Sequence, residues 1–319
     1  MPGISVSRTA IPFSGGGTDW EAFWTSLVSV TVENAAPTHV VLTFPTAADL
    51  VATDFTITGF TISSASWTGT VLTLVLSTAV LVFDEDLTIT FVKSGDTGTV
   101  TNNVADDGNT VAWYDYSDLT TLTKDTGGTE KISQWNDKLG SGHNLTQATG
   151  TKQPIWHADG VRFNNVAMYM ATAALGYSQP EMIYLLVSQV SYDGTDQTII
   201  NGAPFGTGTL YQHGTTPDLC AHCGGAGATV VVNSNLAIGN WGVVRILFNT
   251  ANSKLIVDET AAVTGHFGSS NMNAIALGGD PGNPVHCADF VIREAIFRDA
   301  IEDAGVEAAI YQYLKKKVS

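Results

Sequence analysis

Residues 27–44 read LVSVTVENAAPTHVVLTF, and their alternation decides the fold class. Val28, Val30 and Val32 fall on one side of an extended chain, with Ser29, Thr31 and Glu33 on the other. A period of two marks a strand with one buried face, because successive side chains point to opposite sides of the pleat. The same beat returns at Phe55 and Ile57, at Leu72, Leu74 and Leu76, and at Leu87, Ile89 and Phe91. Ser66, Thr68-Gly69 and Asp84-Glu85 supply turns between the runs. About seven short strands so spaced make a β-sandwich, expected over residues 27–109.

Asp106-Asp107-Gly108-Asn109 is a turn cluster and a natural boundary, so a second domain is expected over 110–319. Its strand candidates are Met182–Val190, Thr198–Asn201, Thr229–Asn233, Trp241–Phe248, Leu255–Asp258, Ala274–Gly278 and Ala288–Phe297. Only the end reads as a helix. Asp299 and Glu302 have capping-box spacing, and Ile301, Val306, Ile310 and Leu314 recur at helical intervals. Residues 1–26 are expected to be an arm and hinge. Ile4 and Val6 alternate with serines, Arg8 is the first cation, Ile11-Pro12-Phe13 is apolar, and Gly15-Gly16-Gly17 is a flexible break. Those apolar side chains suit an arm that docks into a partner.

Composition narrows the function classes. Hydrophobic residues are 44% and charged residues 14% of the 319, enough apolar content for packed cores and too little charge for a disordered chain. The net charge of −16 repels nucleic acid, and no basic stripe offsets it: before residue 110 the lysines and arginines are Arg8 and Lys93. Lys315-Lys316-Lys317 matches the C-terminal dipole of the expected helix. No apolar run is long enough to insert in a membrane. Residues 1–17 lack the apolar core of a secretory signal, and three cysteines make no disulfide framework, so a reducing cytoplasm is the expected site of synthesis.

The chemistry-bearing motifs are few. No G-x-S-x-G, phosphate-binding loop or dinucleotide fingerprint occurs. A retaining glycosidase needs two carboxylates roughly 5 Å apart. Glu181 and Glu294 stand alone on their strands, so no catalytic residue is assigned. Cys220 and Cys223 have the spacing that lets two thiolates share a zinc, with His213 or His222 to complete it and His286-Cys287 able to arrive from a distant strand. Sugar binding needs aromatic platforms. Trp113, Trp135, Trp156 and Trp241 are expected mostly in the core, leaving Tyr177, Tyr192 and Tyr211, nearer loops, as glycan-binding candidates.

Two resemblances sharpen these expectations. Residues 30–109, through VTVENAAPTHVVLTF, DFTITG, VLTLVLSTAV and NNVADDGNTVA, resemble the Ig-like modules of bacterial adhesins. Residues 112–319, through AWYDYSDLTTLT, ISQWNDKLGSGHNLTQAT, QPIWHADGVRFNN and EAAIYQYLKKK, resemble a concanavalin A-like (laminin G-like) jelly roll common in phage and bacterial surface proteins. The implied fold is all-β: an N-terminal arm, an Ig-like β-sandwich, then a concanavalin A-like jelly-roll β-sandwich with a C-terminal helix. Related jelly rolls hold calcium in a loop, and Asp115, Asp118, Asn136 and Asp137 fall on the corresponding positions. The arm PGISVSRTAIPF is similar to the leading segment of phage structural proteins. Together these imply a non-enzymatic bacteriophage virion component: a head decoration or fibre, or a tail-associated adhesin. It would be anchored to other virion proteins through Ile4, Val6, Arg8, Ile11 and Phe13 and assembled as a trimer or dimer, binding glycans at the virion surface. A bacterial surface lectin is the alternative, and a glycan-degrading enzyme the disfavoured third.

Overall fold

A computed structural model describes residues 6–7, 19–32, 38–78, 80, 83, 86–102, 108–125, 130–164, 167–204, 206–224, 231–279 and 286–318. The chain forms two compact units, Met1–Gly108 and Asn109–Ser319. Both are β-sandwiches, so the protein is all-β apart from two α-helices among the described residues.

In the N-terminal unit one sheet orders the strands Ser29–Val32, His39–Thr43, Val71–Leu76 and Ile62–Thr68. The other orders Val6–Ser7, Asp96–Thr101, Asp86–Phe91 and Phe55–Ile57. The alternating residues meet as expected: Val30, Val32, Leu42, Leu72, Leu74, Ile89 and Phe91 share one core. Val28 departs from its series. It precedes the first strand and is 60% exposed.

The segment expected as arm and hinge is partly structural. Asp19 accepts from the Ala22 N–H at 2.9 Å and caps the helix Trp20–Thr25. That helix buries Trp24 completely and stacks it on Phe91, centroids 5.5 Å apart. Val6–Ser7 pairs with Gly98 and Thr97 of its own chain, so Val6 is an edge-strand residue. Ile4, Arg8, Ile11 and Phe13 lie outside the described residues.

The C-terminal unit packs a nine-stranded sheet on an eight-stranded one. The eight-stranded sheet is centred on Asp289–Arg298, Glu181–Ser191 and Trp241–Phe248. Ile183, Leu185, Val187, Val244, Ile246, Phe290 and Phe297 point inward and share one core with Met170, Ile200, Leu210 and Leu277 of the other sheet. The outer face is covered by the helix Ala304–Lys316, which buries Ile310 and Leu314. Burial on both faces explains the nearly unbroken apolar run of Glu181–Ser191. The helix starts later than its sequence signal. Asp303, not Asp299, caps it, accepting from Gly305 and Val306 at 2.8 and 2.9 Å, and Ile301 is 61% exposed.

Replacing Trp24 by alanine removes the largest side chain of the N-terminal core. Such cavities cost about 3–5 kcal/mol. Urea denaturation of the full chain should register that loss in the N-terminal transition; a cost of less than about 1 kcal/mol contradicts the packing described.

Candidate functional site

The strand Asp289–Arg298 pairs along one edge with Glu181–Ser191. Along the other it pairs with two strands in succession, Gly160–Asn164 and then Thr110–Asp115. At the changeover Leu186 faces Glu294 while Val187 faces Ile292, so Arg293 is the extra residue of a bulge. A second irregularity follows, with Gln189 facing Phe290 and Ser191 facing Asp289, which leaves Val190 extra. Bulges bend a strand and re-aim its side chains. Beside these two, on the outer face, lies a hollow of about 270 Å³ lined by His157, Asp159, Arg162, Ser188, Val190 and Trp241 among others.

Each lining residue has a local reason for its place. His157 and Asp159 sit at the tip of the hairpin Ile155–His157/Gly160–Asn164, where His157 faces Gly160. A Cβ on Gly160 would meet the Ile292 carbonyl oxygen at 2.4 Å, so only glycine lets the hairpin lie this close. Gly239 has φ +83° in the turn before Trp241, and its N–H donates to the Gln189 carbonyl at 2.7 Å. That turn delivers Trp241 to the start of its strand. There the indole is half-buried, on the same outward side as Val243 and Arg245.

Arg293 organises the rim. Its guanidinium stacks on the Trp241 ring at 4.7 Å from the centroid. Its Nε donates to the Asp159 carbonyl at 2.9 Å, Nη2 reaches Asp159 Oδ1 at 3.4 Å, and Nη1 donates to the Lys317 carbonyl. Arg162 closes on Asp289 through two contacts of 3.2 Å, and Ser191 donates to the same carboxylate at 3.0 Å. A second hollow of about 450 Å³ shares Gly239 and Trp241 with the first and is also lined by Asn240, Lys315 and Val318. The arrangement offers an aromatic ring bordering two recesses, with polar groups at fixed positions. This is how a site binds a small polar ligand by one apolar face.

The residues singled out from sequence mostly lie elsewhere. Cys220 and Cys223 cannot share an ion. Cys223 joins the core between the sheets, whereas Cys220 pairs with Tyr211 in register and is not part of that core. Burial pushes both thiols up to about 12. His213 is turned away, with its Nδ1 2.9 Å from the Thr215 hydroxyl. Among the described residues no group of three metal-ligating side chains comes together.

The calcium positions are already satisfied by protein. Asp115 contacts Lys138 at 2.8 Å and Lys317 at 3.3 Å, and two ammonium groups repel a cation. Asp118 accepts from Thr120 at the start of a short helical turn. Asp137 accepts from the Trp113, Leu139 and Ser141 N–H groups, and Asn136 accepts from Gln134 at 2.5 Å.

Tyr177 is 2% exposed and donates to the Arg298 carbonyl at 2.7 Å, a core role rather than a sugar contact. Tyr211 leans edge-on to His222, with ring centroids 5.7 Å apart, and Tyr192 is half-buried at the end of its strand. Neither lines the two hollows described above. Trp241, expected mostly in the core, is instead half-buried and lines both hollows. It shares parity with Arg245, whose charge marks that side of the strand as the outer one.

The expectation that no acids pair in this half is also corrected. Glu294 and Asp115 face each other on neighbouring strands, both fully buried. Lys317 Nζ lies 2.5 Å from Glu294 Oε2 and 3.3 Å from Asp115 Oδ1, filling the space between them. Trp113 Nε1 and the Tyr313 hydroxyl each donate to Glu294 at 2.7 Å. Burial and the Asp115 charge push Glu294 up to about 7. Burial acts upward on Asp115 too, but Lys317, Ser117 and Lys138 outweigh it and hold that carboxyl low. The couple anchors the end of the C-terminal helix. On the other edge of the core, burial takes Glu181 up to about 8 despite the Met272 N–H donating to it at 2.6 Å.

No family model matches the chain, and no curated protein does. Solved structures resemble it weakly. A Trypanosoma rangeli sialidase aligns at 10% identity and TM-score 0.49, over 87% of this chain and 51% of its own. The binding domain of paraclostridial mosquitocidal protein 1 aligns at 13% identity and TM-score 0.45, over 65% of this chain and 52% of its own. Domain 4 of AbnA, an extracellular arabinanase from Geobacillus stearothermophilus, in complex with arabinotriose, aligns at 15% and TM-score 0.43, over 63% of this chain and 98% of that domain. The chain thus spans about half the length of the sialidase. Against the expectation of a bacteriophage virion component, the structures named are a sialidase, a toxin binding domain and an arabinanase domain.

The two raised glutamates give the fold a pH signature. Each binds its proton more tightly folded than unfolded, from an ordinary value of 4.5 up to about 7 for Glu294 and about 8 for Glu181. Their stabilisation is complete below the unfolded value and is lost as pH rises through the folded ones. Asp115 acts oppositely, losing its contribution as pH falls through its lowered value. The thermal midpoint of the full chain should therefore fall between roughly pH 5 and pH 8, and Glu294→Gln should flatten that slope. An equal slope in the variant contradicts the assignment.

Proposed function

We propose that the C-terminal unit is a non-catalytic glycan-binding module, with the Trp241 hollow as its binding site. The observation that carries this reading is the half-buried indole of Trp241, which borders two recesses and is braced on one face by Arg293. An aromatic face is electron-rich, and the C–H face of a sugar ring carries the complementary partial charge. His157 and Asp159, with side chains 42% and 55% exposed, stand at the rim where ring hydroxyls need donors and acceptors. The N-terminal unit offers a different hollow, lined by Ala52, Thr53, Phe55, Thr56, Phe60 and Thr61 among others, with no charged group to orient a ligand.

The non-catalytic part of the reading is supported by the carboxylate couple itself. Glycoside hydrolysis needs an acid and a base that meet the sugar. Asp115 and Glu294 are fully buried, and Lys317 occupies the space a substrate would need.

Glycan-array screening followed by titration calorimetry of the full chain tests the proposal. Trp241→Ala should weaken binding at least about tenfold, roughly 1.4 kcal/mol, with the fold intact by circular dichroism. No reducing sugar should be released from a bound glycan. Undiminished binding by the variant, or turnover, refutes the reading.

A further inference from the structure

The geometry points to an uncharged oligosaccharide as the ligand class of this site, with Asp159 as a residue that enforces the absence of charge; we infer this on the premise that the Trp241 hollow binds glycans at all. The first observation is how the cations are spent. An acidic sugar is recognised by an arginine whose fork is open to take a carboxylate through two parallel hydrogen bonds. Both arginines here already face a carboxylate. Arg162 presents Nε and Nη2 to Asp289 at 3.2 Å each. Arg293 uses Nε, Nη1 and Nη2 on Asp159 and on the Lys317 carbonyl, with its flat face on Trp241.

The remaining cation of the two recesses, Lys315, is held 2.9 Å from Asp258 Oδ1. Three cations therefore meet three carboxylates, within a chain whose net charge is −16. An anionic ligand would enter a surrounding negative field and find no unmatched positive charge. A neutral sugar has no such cost, since its hydroxyls both donate and accept.

The second observation concerns length. Gly239 and Trp241 line both recesses, about 270 and 450 Å³, so the two are neighbours that meet at these residues. A ligand that uses both must be longer than one ring and extend past Trp241. Asp159 is the discriminating position because it is the exposed partner of Arg293. Its side chain is 55% exposed, against 11% for Asp289, so it can be altered without opening the sheet.

The experiment titrates the full chain with neutral tri- and tetrasaccharides and with sialyllactose and oligogalacturonate as anionic probes. The wild type should bind a neutral member and bind its monosaccharide unit at least about tenfold more weakly. The anionic probes should bind weakly or not at all. Asp159→Asn should raise the ratio of anionic to neutral affinity about tenfold, and that gain should shrink with added salt. Trp241→Phe, which keeps a ring in place, is measured beside Trp241→Ala to separate loss of the plate from loss of fold. Wild-type preference for an anionic probe, or an unmoved ratio in Asp159→Asn, overturns the selectivity while leaving a glycan site standing. Binding that ignores Trp241, or no binding across the panel, overturns the glycan reading and this inference together.

Discussion

The C-terminal unit depends on one strand being hydrogen-bonded on both edges along its whole length. Asp289–Arg298 carries the sheet between Glu181–Ser191 on one side and two shorter strands on the other. Its inward residues Phe290, Ile292, Ala295 and Phe297 are fully buried, and so is the outward Glu294, under the helix. The bulge at Arg293 interrupts the strand's alternation. It falls where the partner strand changes, the point at which the ladder has least to lose, since the Arg293 carbonyl is still taken by the Tyr116 N–H at 2.9 Å. The recesses beside Trp241 thus lie where two strands share one edge of Asp289–Arg298.

Much of the architecture was legible in the sequence because alternation is a local property. The strand Trp241–Phe248 was expected with those very limits, Glu181–Ser191 extends its expected range by one residue at each end, and Asp289–Arg298 is shifted by one residue from the expected Ala288–Phe297. Where the reading failed, a distant partner decided the outcome. Trp20–Thr25 follows a glycine run and looks like tether, yet Trp24 is needed to fill the space beside Phe44, Phe55 and Phe91. Asp299 has the spacing of a helix cap, but its N–H is bonded to the Asn109 carbonyl at 3.0 Å and the helix waits for Asp303.

The site was less legible for the same reason. Glu294 is isolated in sequence and acquires Asp115, Trp113, Tyr313 and Lys317 as neighbours only when the sheet and helix assemble. The C-x-x-C spacing of Cys220 and Cys223 suggests a shared ligand when it lies on a loop. Here Cys220 lies on the strand Leu219–His222 and Cys223 continues it by one residue, and residues three apart on an extended chain fall on opposite faces. Trp241 was assigned to the core from the apolar run it opens. The charge at Arg245, four residues on and on the same face, argued otherwise, and strand parity is the signal that recovers it.

The helix end and the hollow are joined through one side chain. Lys317 follows the last helical turn, its ammonium set between Glu294 and Asp115 and its carbonyl accepting from Arg293. Arg293 in turn lies on Trp241 and holds the hairpin tip at Asp159. The ammonium is a buried ion-pair contact, which is costly to break on one side because the remaining charges are left without a partner. Arg293 forms no buried pair of comparable strength at the rim, where exposed pairs are worth about 0–1 kcal/mol. Its position is therefore borrowed from the helix anchor rather than generated by its own contact with Asp159. On this account the orientation of the Trp241 ring is set through Lys317 and Arg293, neither of which lines the two recesses.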